Sequence, residues 1–223
     1  MNNVNLKKLI EGLGLVFGYY FILPLLFLGP IISFFPNIDE YLARFIVTCL
    51  CGIVPIVYFR KDLVKNFKEF LKNKGLVFDK KYWKIYGIGL LCMMGANLVL
   101  NFISGGDIAN NEAGIRDILN INMFTTLFFG IIIAPITEEL VFKKSFDNAF
   151  VNMKSFVLFT GFLFAGMHIG TETSLIGLLY LIPYASLGIA FSYMYSKSDN
   201  IYTPVFYHMF HNTMTFVLLL LVL

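Results

Sequence analysis

The stretch MFTTLFFGIIIAPITEELVFK, residues 123–143, decides how this chain folds. It begins with a mostly apolar run from Met123 to Ile136 and ends in a polar cluster with two adjacent glutamates, Glu138 and Glu139, and one lysine, Lys143. A charged side chain at the centre of a bilayer costs about 2.5–3.5 kcal/mol on insertion scales, so such groups usually face a protein interior. The stretch therefore predicts a membrane helix that carries functional carboxylates.

The composition of the whole chain is that of a membrane protein. Of its 223 residues, 58% are hydrophobic and 14% are charged, whereas soluble domains are about 45–50% apolar and about 25% charged. The net charge of +3 is too small and too localised to indicate a nucleic-acid partner. Cys49, Cys51 and Cys92 lie in apolar runs without CxxC spacing, which favours buried reduced thiols over a disulfide or metal site.

Apolar segments long enough to cross a bilayer recur along the chain. A helix needs about 20 mostly apolar residues to cross about 30 Å of hydrocarbon. Pro24 and Pro30 predict a kink or a break in the first segment, and the fourth segment is too long to lie wholly in hydrocarbon. We expect an all-α, polytopic transmembrane helix bundle of about seven spans. The segments are 9–35, 41–59, 83–104, 121–150, 154–171, 174–196 and 200–222.

The basic residues predict the topology, because short cytoplasmic loops carry an excess of lysine and arginine. The segment from Arg60 to Lys84 has nine basic residues against three acidic ones, so we expect it in the cytoplasm together with the N-terminus. The polar stretch 104–120 should lie outside. We divide the chain into N-terminal membrane helices, residues 1–120, and a second helical part, residues 121–223.

The cytoplasmic segment has an amphipathic pattern of its own. Large apolar residues recur near helical spacing among its lysines, which predicts a basic amphipathic helix over residues 60–82 that lies on anionic lipid. A plain solvated loop is the alternative. The apolar residues are Leu63, Phe67, Phe70 and Leu71.

The two glutamates should have different roles, since adjacent residues on a helix point about 100° apart. Glu139 and Lys143 stand four residues apart with the acid first, the favourable arrangement for an ion pair. Glu138 has no basic residue three or four positions later, so another helix must satisfy it. Burial without a cation disfavours the ionised carboxylate, which suits a general base near neutral pH. Two solvated acids at the membrane interface are the alternative.

All three histidines follow the glutamates and lie on later apolar segments. Phe164 and His168 share a helix face at a spacing of four residues, as do His208 and Asn212. Polar side chains in membrane helices need partners, and the glutamate pair is the obvious one. We expect these groups to converge in the cytoplasmic half of the bundle. Small residues would allow close helix approach: Gly130, Gly161, Gly166 and Gly188.

Three motifs thus stand in order on successive apolar segments. They read Glu138-Glu139-Leu140-Val141-Phe142-Lys143, Phe164-Ala165-Gly166-Met167-His168 and His208-Met209-Phe210-His211-Asn212. This pattern, over about residues 121–215, resembles the CPBP family (CAAX proteases and bacteriocin-processing enzymes), also called Abi. The family's first motif usually ends in arginine, where this chain has Lys143; lysine keeps the charge but lacks the planar, bidentate fork.

The resemblance implies an intramembrane endopeptidase with residues 121–223 as its catalytic core. Glu138 would activate a water molecule with the help of His168. His208 and Asn212 would stabilise the oxyanion of the tetrahedral intermediate. The expected partners are the lipid bilayer and a membrane peptide or protein substrate, in a bacterial cell membrane. The residues that would support the site are Glu139, Lys143 and Phe164.

The resemblance leaves the cofactor and the activity open. CPBP members have been described both as metalloenzymes and as metal-independent glutamate proteases. If a divalent metal such as zinc binds, Glu138, His168 and His208 would hold it, since carboxylates and imidazoles suit zinc. The absence of a His-Glu-x-x-His motif slightly favours a metal-free site that activates water. A non-catalytic immunity or scaffold protein, as in bacteriocin self-immunity, is the alternative function. A proton-coupled transporter is less favoured because no internal repeat is evident.

Overall fold

The structure, a computed structural model, describes residues 4–73 and 75–222. This part of the chain forms nine helices of two turns or more and no strand, apart from an isolated β-bridge between Val4 and Phe150. The prediction of an all-α bundle is confirmed. The helices are α1 (Leu6–Phe34), α2 (Glu40–Tyr58), α3 (Arg60–Lys72), α4 (Lys80–Ser104), α5 (Asn110–Ile121), α6 (Met123–Phe146), α7 (Met153–His168), α8 (Leu175–Ser198) and α9 (Tyr202–Val222).

Six of these helices are long and apolar enough to cross a membrane: α1, α2, α4, α6, α8 and α9. The chain is accordingly an integral membrane protein. Helix α7 is apolar but has only 16 residues, which makes it about 24 Å long, less than the roughly 30 Å of a hydrocarbon layer. The prediction of about seven spans counted segment 154–171 as a full crossing and is one too many by this measure.

Helix α1 continues through its prolines. A single wider π-helical turn, Gly18–Ile22, stands directly before Pro24. Proline lacks an N–H and its ring collides with the carbonyl one turn earlier, so the chain must open there. The expected kink or break is therefore a local widening of the helix.

Helix α6 is shorter than the predicted segment 121–150. Asn122 is extended, with φ −151° and ψ 95°, and caps the helix that follows. The regular α-helix ends at Phe142, one 3-10 turn follows, and Asn148 has a positive φ of 61°. Because this backbone cannot continue a right-handed helix, the last residues of the segment form a loop. Glu138 consequently lies four residues, about 6 Å, from the end of the regular α-helix.

Helix α3 is the basic surface helix that the sequence predicted, but it is shorter than residues 60–82. It ends at Lys72, and α4 begins at Lys80; Lys74 lies outside the described residues. One face docks on the protein through the buried Asn66, whose side-chain oxygen accepts the N–H of Ile201 at 3.0 Å. The opposite face exposes large apolar side chains among the lysines: Val64, Phe67 and Leu71.

Three segments with basic residues lie on one side of the bundle. The N–H of Asn5 donates to the carbonyl of Ala149 at 2.8 Å, which places the start of α1 beside the end of α6. Lys144, also at that end, lies 3.6 Å from Asp62 of α3. The start of α1, α3 and the end of α6 thus share a side, as the charge pattern predicted.

Helix α5 occupies the stretch expected to be an external polar segment. Glu172, in the loop after α7, accepts the N–H of Asn110 at 2.6 Å and its side-chain amide at 3.0 Å. This carboxylate caps the N-terminus of α5, where an anion is favoured by the helix dipole. The contact fastens α5 to the end of α7.

Helices from both halves of the chain share one core. Val16 of α1 and Phe59, which follows α2, pack with Leu140 of α6. Helices α7 and α8 approach most closely at glycines: a Cβ at Gly161 would lie 2.6 Å from Cγ1 of Ile189. The predicted role of small residues therefore holds at this crossing, whereas a Cβ at Gly166 would meet nothing within 4 Å, so close helix contact does not require glycine there.

Candidate active site

Helix α6 turns its two glutamates towards different surroundings. The side chain of Glu139 is fully buried, whereas that of Glu138 keeps 17% of its surface exposed. Thr137 beside them is also fully buried and accepts a hydrogen bond from the hydroxyl of Tyr19 at 3.3 Å. The divergence of neighbouring helical residues thus separates one accessible carboxylate from one enclosed carboxylate.

Glu139 is the centre of a buried charged cluster. Its Oε1 atom accepts hydrogen bonds from Nζ of Lys143 at 3.0 Å and from Nδ1 of His208 at 2.9 Å. Lys143 is itself fully buried, and its ammonium lies 4.5 Å from the centre of the Phe164 ring. The ion pair expected from the spacing of four residues is present. Phe164 covers the cation with an aromatic face, which attracts positive charge.

Glu138 faces the two histidines, His168 and His208, that the sequence predicted as site residues. Its Oε2 atom lies 3.9 Å from Nε2 of His168 and 3.7 Å from Nε2 of His208. Both distances are longer than a direct hydrogen bond. At separations beyond about 3.5 Å, a water molecule can bridge two polar groups. Three side chains from α6, α7 and α9 therefore converge on one small region.

The remaining ring nitrogen of each histidine is already engaged. Nδ1 of His168 lies 2.8 Å from the carbonyl of Phe164, and Nδ1 of His208 lies 2.9 Å from the Glu139 carboxylate. A carbonyl and an ionised carboxylate only accept hydrogen bonds, so Nδ1 carries the proton in both rings. These contacts orient both rings and leave Nε2 as the atom that faces Glu138.

Aromatic side chains of α8 stack on both imidazoles, and the residues predicted from the sequence did not include them. Tyr184 stacks on His168 with ring centres 4.9 Å apart, and Phe191 stacks on His208 at 5.0 Å. The Tyr184 hydroxyl accepts the side-chain amide of Asn111 from α5 at 3.3 Å. Tyr184 and Phe191 stand seven residues apart, a spacing that puts two side chains on one helix face and could have indicated them.

Asn212 makes a contact that the sequence did not predict. Its Nδ2 atom donates to the carbonyl of Gly130 at 2.7 Å. Gly130 lies in a π-helical turn of α6. In this turn the N–H of Ala134 donates to the carbonyl of Phe129 rather than to that of Gly130. The next residue, Pro135, has no N–H to donate. The Gly130 carbonyl thus lacks its usual main-chain donor, and Asn212 replaces it. Among the described contacts, none joins Asn212 directly to the glutamates.

The third histidine lies apart from this region. Nδ1 of His211 is 3.2 Å from the hydroxyl of Tyr86 on α4. This contact satisfies a polar ring within an apolar helix. His211 therefore joins α9 to α4 and not to the glutamate pair.

The donor atoms around Glu138 are of types that zinc accepts: a carboxylate oxygen and two imidazole nitrogens. Within residues 4–73 and 75–222, however, no three or more His, Cys, Asp or Glu side chains are grouped closely enough to hold a metal ion. The reaction proposed for this site is written without a metal.

Comparison with known proteins agrees with these motifs. A family model described as type II CAAX prenyl endopeptidase Rce1-like matches residues 120–214. This segment, called the Rce1-like segment below, is similar to that family. The match contains all three motifs, and the resemblance to the CAAX-protease family is confirmed. The Rce1-like segment begins at the α5–α6 junction and ends within α9, so it comprises every residue of the Glu138 cluster.

The similarity to curated proteins covers more of the chain than the Rce1-like segment. "Putative membrane peptidase YdiL" of Bacillus subtilis (strain 168) is 26% identical over 158 residues, which are 68% of this chain and 62% of that protein. "UPF0177 protein YaiF" of Lactococcus lactis subsp. lactis (strain IL1403) is 22% identical over 179 residues, 77% of this chain and 75% of that protein. The chain thus spans less than two thirds of YdiL. No solved structure matches.

Proposed function

We propose that this protein is an intramembrane endopeptidase that hydrolyses a peptide bond of a membrane-associated peptide or protein. The observation that supports this most directly is the position of Oε2 of Glu138, 3.9 Å and 3.7 Å from Nε2 of His168 and of His208. A partly exposed carboxylate beside two oriented imidazoles can take and return a proton. The Rce1-like segment supports the same reaction class.

In the proposed reaction, a water molecule bridges Oε2 of Glu138 and Nε2 of His168 from one side, within hydrogen-bond reach of both atoms. Glu138 removes one proton while the water oxygen attacks the carbonyl carbon of the peptide, whose carbonyl oxygen becomes an oxyanion. The C–N bond then breaks, and Glu138 returns the proton to the leaving nitrogen. One new carboxylate end and one new amine end result.

His208 and Asn212 are the proposed partners of the oxyanion. After His208 takes a proton from the surrounding water, it can donate Nε2–H to the developing charge, while Glu139 accepts Nδ1–H and keeps the ring oriented. Asn212 uses one amide hydrogen on Gly130, and its second amide hydrogen is available. Lys143 balances the charge of Glu139, so that the resting cluster does not bury an uncompensated carboxylate.

The substitution Glu138→Gln tests the base. Protein in liposomes would be incubated with a library of apolar peptides, with and without lipid anchors, and the products read by mass spectrometry. We expect the variant to lose about 10²–10⁴-fold in cleavage rate, the usual contribution of a general base. Glu11→Gln, on an exposed face of α1 in a surface pair with Lys8, is the matched control and should cleave at the normal rate.

Two further arms separate the alternatives. Cleavage that persists in EDTA and o-phenanthroline would support the metal-free steps, whereas loss that added zinc restores would overturn them. If the wild type cleaves no peptide and Glu138→Gln leaves the protection of cells against a bacteriocin unchanged, the non-catalytic immunity or scaffold function would replace the peptidase.

We further propose a bacterial cell membrane with the N-terminus in the cytoplasm. The relatives named above come from bacteria, and the N-terminus shares a side with the basic helix α3, as the rule for basic loops requires. Small bacterial membrane peptides, such as bacteriocin precursors or peptide pheromones, are then the expected substrates rather than prenylated proteins.

A further inference from the structure

A concave basic site lies away from the Glu138 cluster. Its cavity of about 280 Å³ opens between the start of α4 and the end of α8. Three of the five lining side chains are lysines and none is acidic, so the cavity carries a concentrated positive charge. We call it the lysine pocket; its lining residues are Lys81, Lys84, Ile85, Tyr193 and Lys197.

Little within the described chain compensates this charge. Lys81 has an exposed partner, Asp79, at 3.3 Å, and Nζ of Lys197 lies 5.4 Å from the centre of the Tyr193 ring. Lys84 forms no ion pair among the described residues. Three lysine side chains that line one concavity attract an anion to it.

The position of the lysine pocket identifies the source of that anion. Helix α4 begins at Lys80 and helix α8 ends at Ser198, and both are long enough to cross the membrane. The pocket therefore lies at the membrane edge, at the depth of lipid headgroups. Asn200, just after α8, donates to the carbonyl of Asn66 at 2.9 Å, so the basic helix α3 is on the same side. Basic pockets between helices at this depth suit anionic lipid headgroups.

We propose that the lysine pocket binds the phosphate of an anionic phospholipid such as phosphatidylglycerol. Lys81, Lys84 and Lys197 contact the phosphate oxygens. Ile85 and Tyr193 contact the glycerol and the first acyl carbons, since aromatic and apolar side chains at the interface face that layer. The bound lipid would link the start of α4 to the end of α8.

Native mass spectrometry of the protein in neutral detergent tests the proposal. Phosphatidylglycerol, phosphatidylcholine and inorganic phosphate would be titrated separately against the wild type and the variant Lys81→Gln/Lys84→Gln/Lys197→Gln. The matched control, Lys7→Gln/Lys72→Gln/Lys154→Gln, removes the same charge from dispersed, exposed sites. We expect one phosphatidylglycerol to bind the wild type and the control, and to bind the pocket variant at least about tenfold more weakly.

The outcomes are distinct. The site depends on charge if phosphatidylglycerol binding is lost in the glutamine variant but retained in the arginine variant, Lys81→Arg/Lys84→Arg/Lys197→Arg. Binding by the arginine variant would also show that the altered helices still fold. Equal weakening in the pocket variant and the control would overturn the proposal in favour of diffuse attraction to anionic lipid. Binding of inorganic phosphate as tight as that of the lipid would also overturn it, because the source would then be a soluble anion.

Discussion

Nδ1 of His208 lies 2.9 Å from Oε1 of Glu139, in a region closed to solvent. The same oxygen holds the Lys143 ammonium at 3.0 Å. One carboxylate oxygen therefore binds a cation from its own helix and an imidazole from α9. Hydrogen bonds in such a low-dielectric region are strong and costly to leave incomplete. In the proposed site, Glu139 positions His208, and Glu138 reacts.

Removing the buried cation should destabilise the protein strongly. Lys143→Met leaves the Glu139 carboxylate enclosed without its ammonium, a change that typically costs about 3–5 kcal/mol. We expect the double variant Lys143→Met/Glu139→Gln to be more stable than Lys143→Met alone, because the uncompensated charge is gone. Unfolding in detergent of all four members of the cycle measures this coupling. Simple addition of the two single effects would show that the pair is not coupled.

Lys143 stands where the first CPBP motif usually has arginine. We expect the lysine to be sufficient to balance the charge of Glu139. Lys143→Arg keeps the positive charge beside Glu139, so we expect it to fold and to retain peptide cleavage, whereas Lys143→Met should lose both. Cleavage by the liposome-reconstituted variants is the measurement. A large gain in rate on Lys143→Arg would mean that the bidentate fork is missing from the natural site.

Asn212→Ala should affect both stability and turnover. Loss of the hydrogen bond to the Gly130 carbonyl should cost about 0.6 kcal/mol, the average for such bonds between membrane helices, and at most about 1.7 kcal/mol. If Asn212 also donates to the oxyanion, kcat should fall by about 10²–10³-fold with little change in KM. Thermal unfolding and peptide cleavage would be measured on one preparation. A stability loss with unchanged kcat would restrict Asn212 to joining α9 and α6.

Tyr184 should position His168 through its ring rather than through its hydroxyl. Tyr184→Phe keeps the ring that stacks 4.9 Å from His168, and we expect nearly normal kcat. Tyr184→Leu removes the stacking, worth about 0.5–1.5 kcal/mol, and should lower kcat by about 2–10-fold and shift its pH profile. Equal activity of the phenylalanine and leucine variants would contradict this role. Circular dichroism would confirm that both variants fold.

The crossing of α7 and α8 offers a matched pair of glycine substitutions. Gly161→Ala places a methyl group 2.6–2.9 Å from Ile189 side-chain and main-chain atoms, so overpacking should cost about 1–3 kcal/mol. Gly166→Ala, on the same helix, has nothing within 4 Å of the added Cβ and should be neutral or stabilising, since alanine is the better helix former. Unfolding temperatures in detergent give the comparison. Equal effects would mean that the helices separate readily.

Features that depend on one helix could be predicted from the sequence. The apolar length of the spans, the basic surface helix and the Glu139–Lys143 pair follow from composition and from the spacing of residues along a single helix. The end of α6 could not, because Phe146, Ala149 and Phe150 follow the two lysines and only the backbone at Asn148 reveals the loop. The same limit applies to α7, whose apolar segment is longer than its helix.

The sequence by itself determined that this is a helical membrane protein and which residue types could form a site, in the order of the three motifs. Only the tertiary structure decided that His168 and His208 meet Glu138, that Asn212 binds Gly130, and that α8 supplies the stacked rings. Contacts between helices depend on the rotation, depth and crossing of each helix. Periodicity along one chain segment specifies which side chains share a face, but not the neighbour that the face meets.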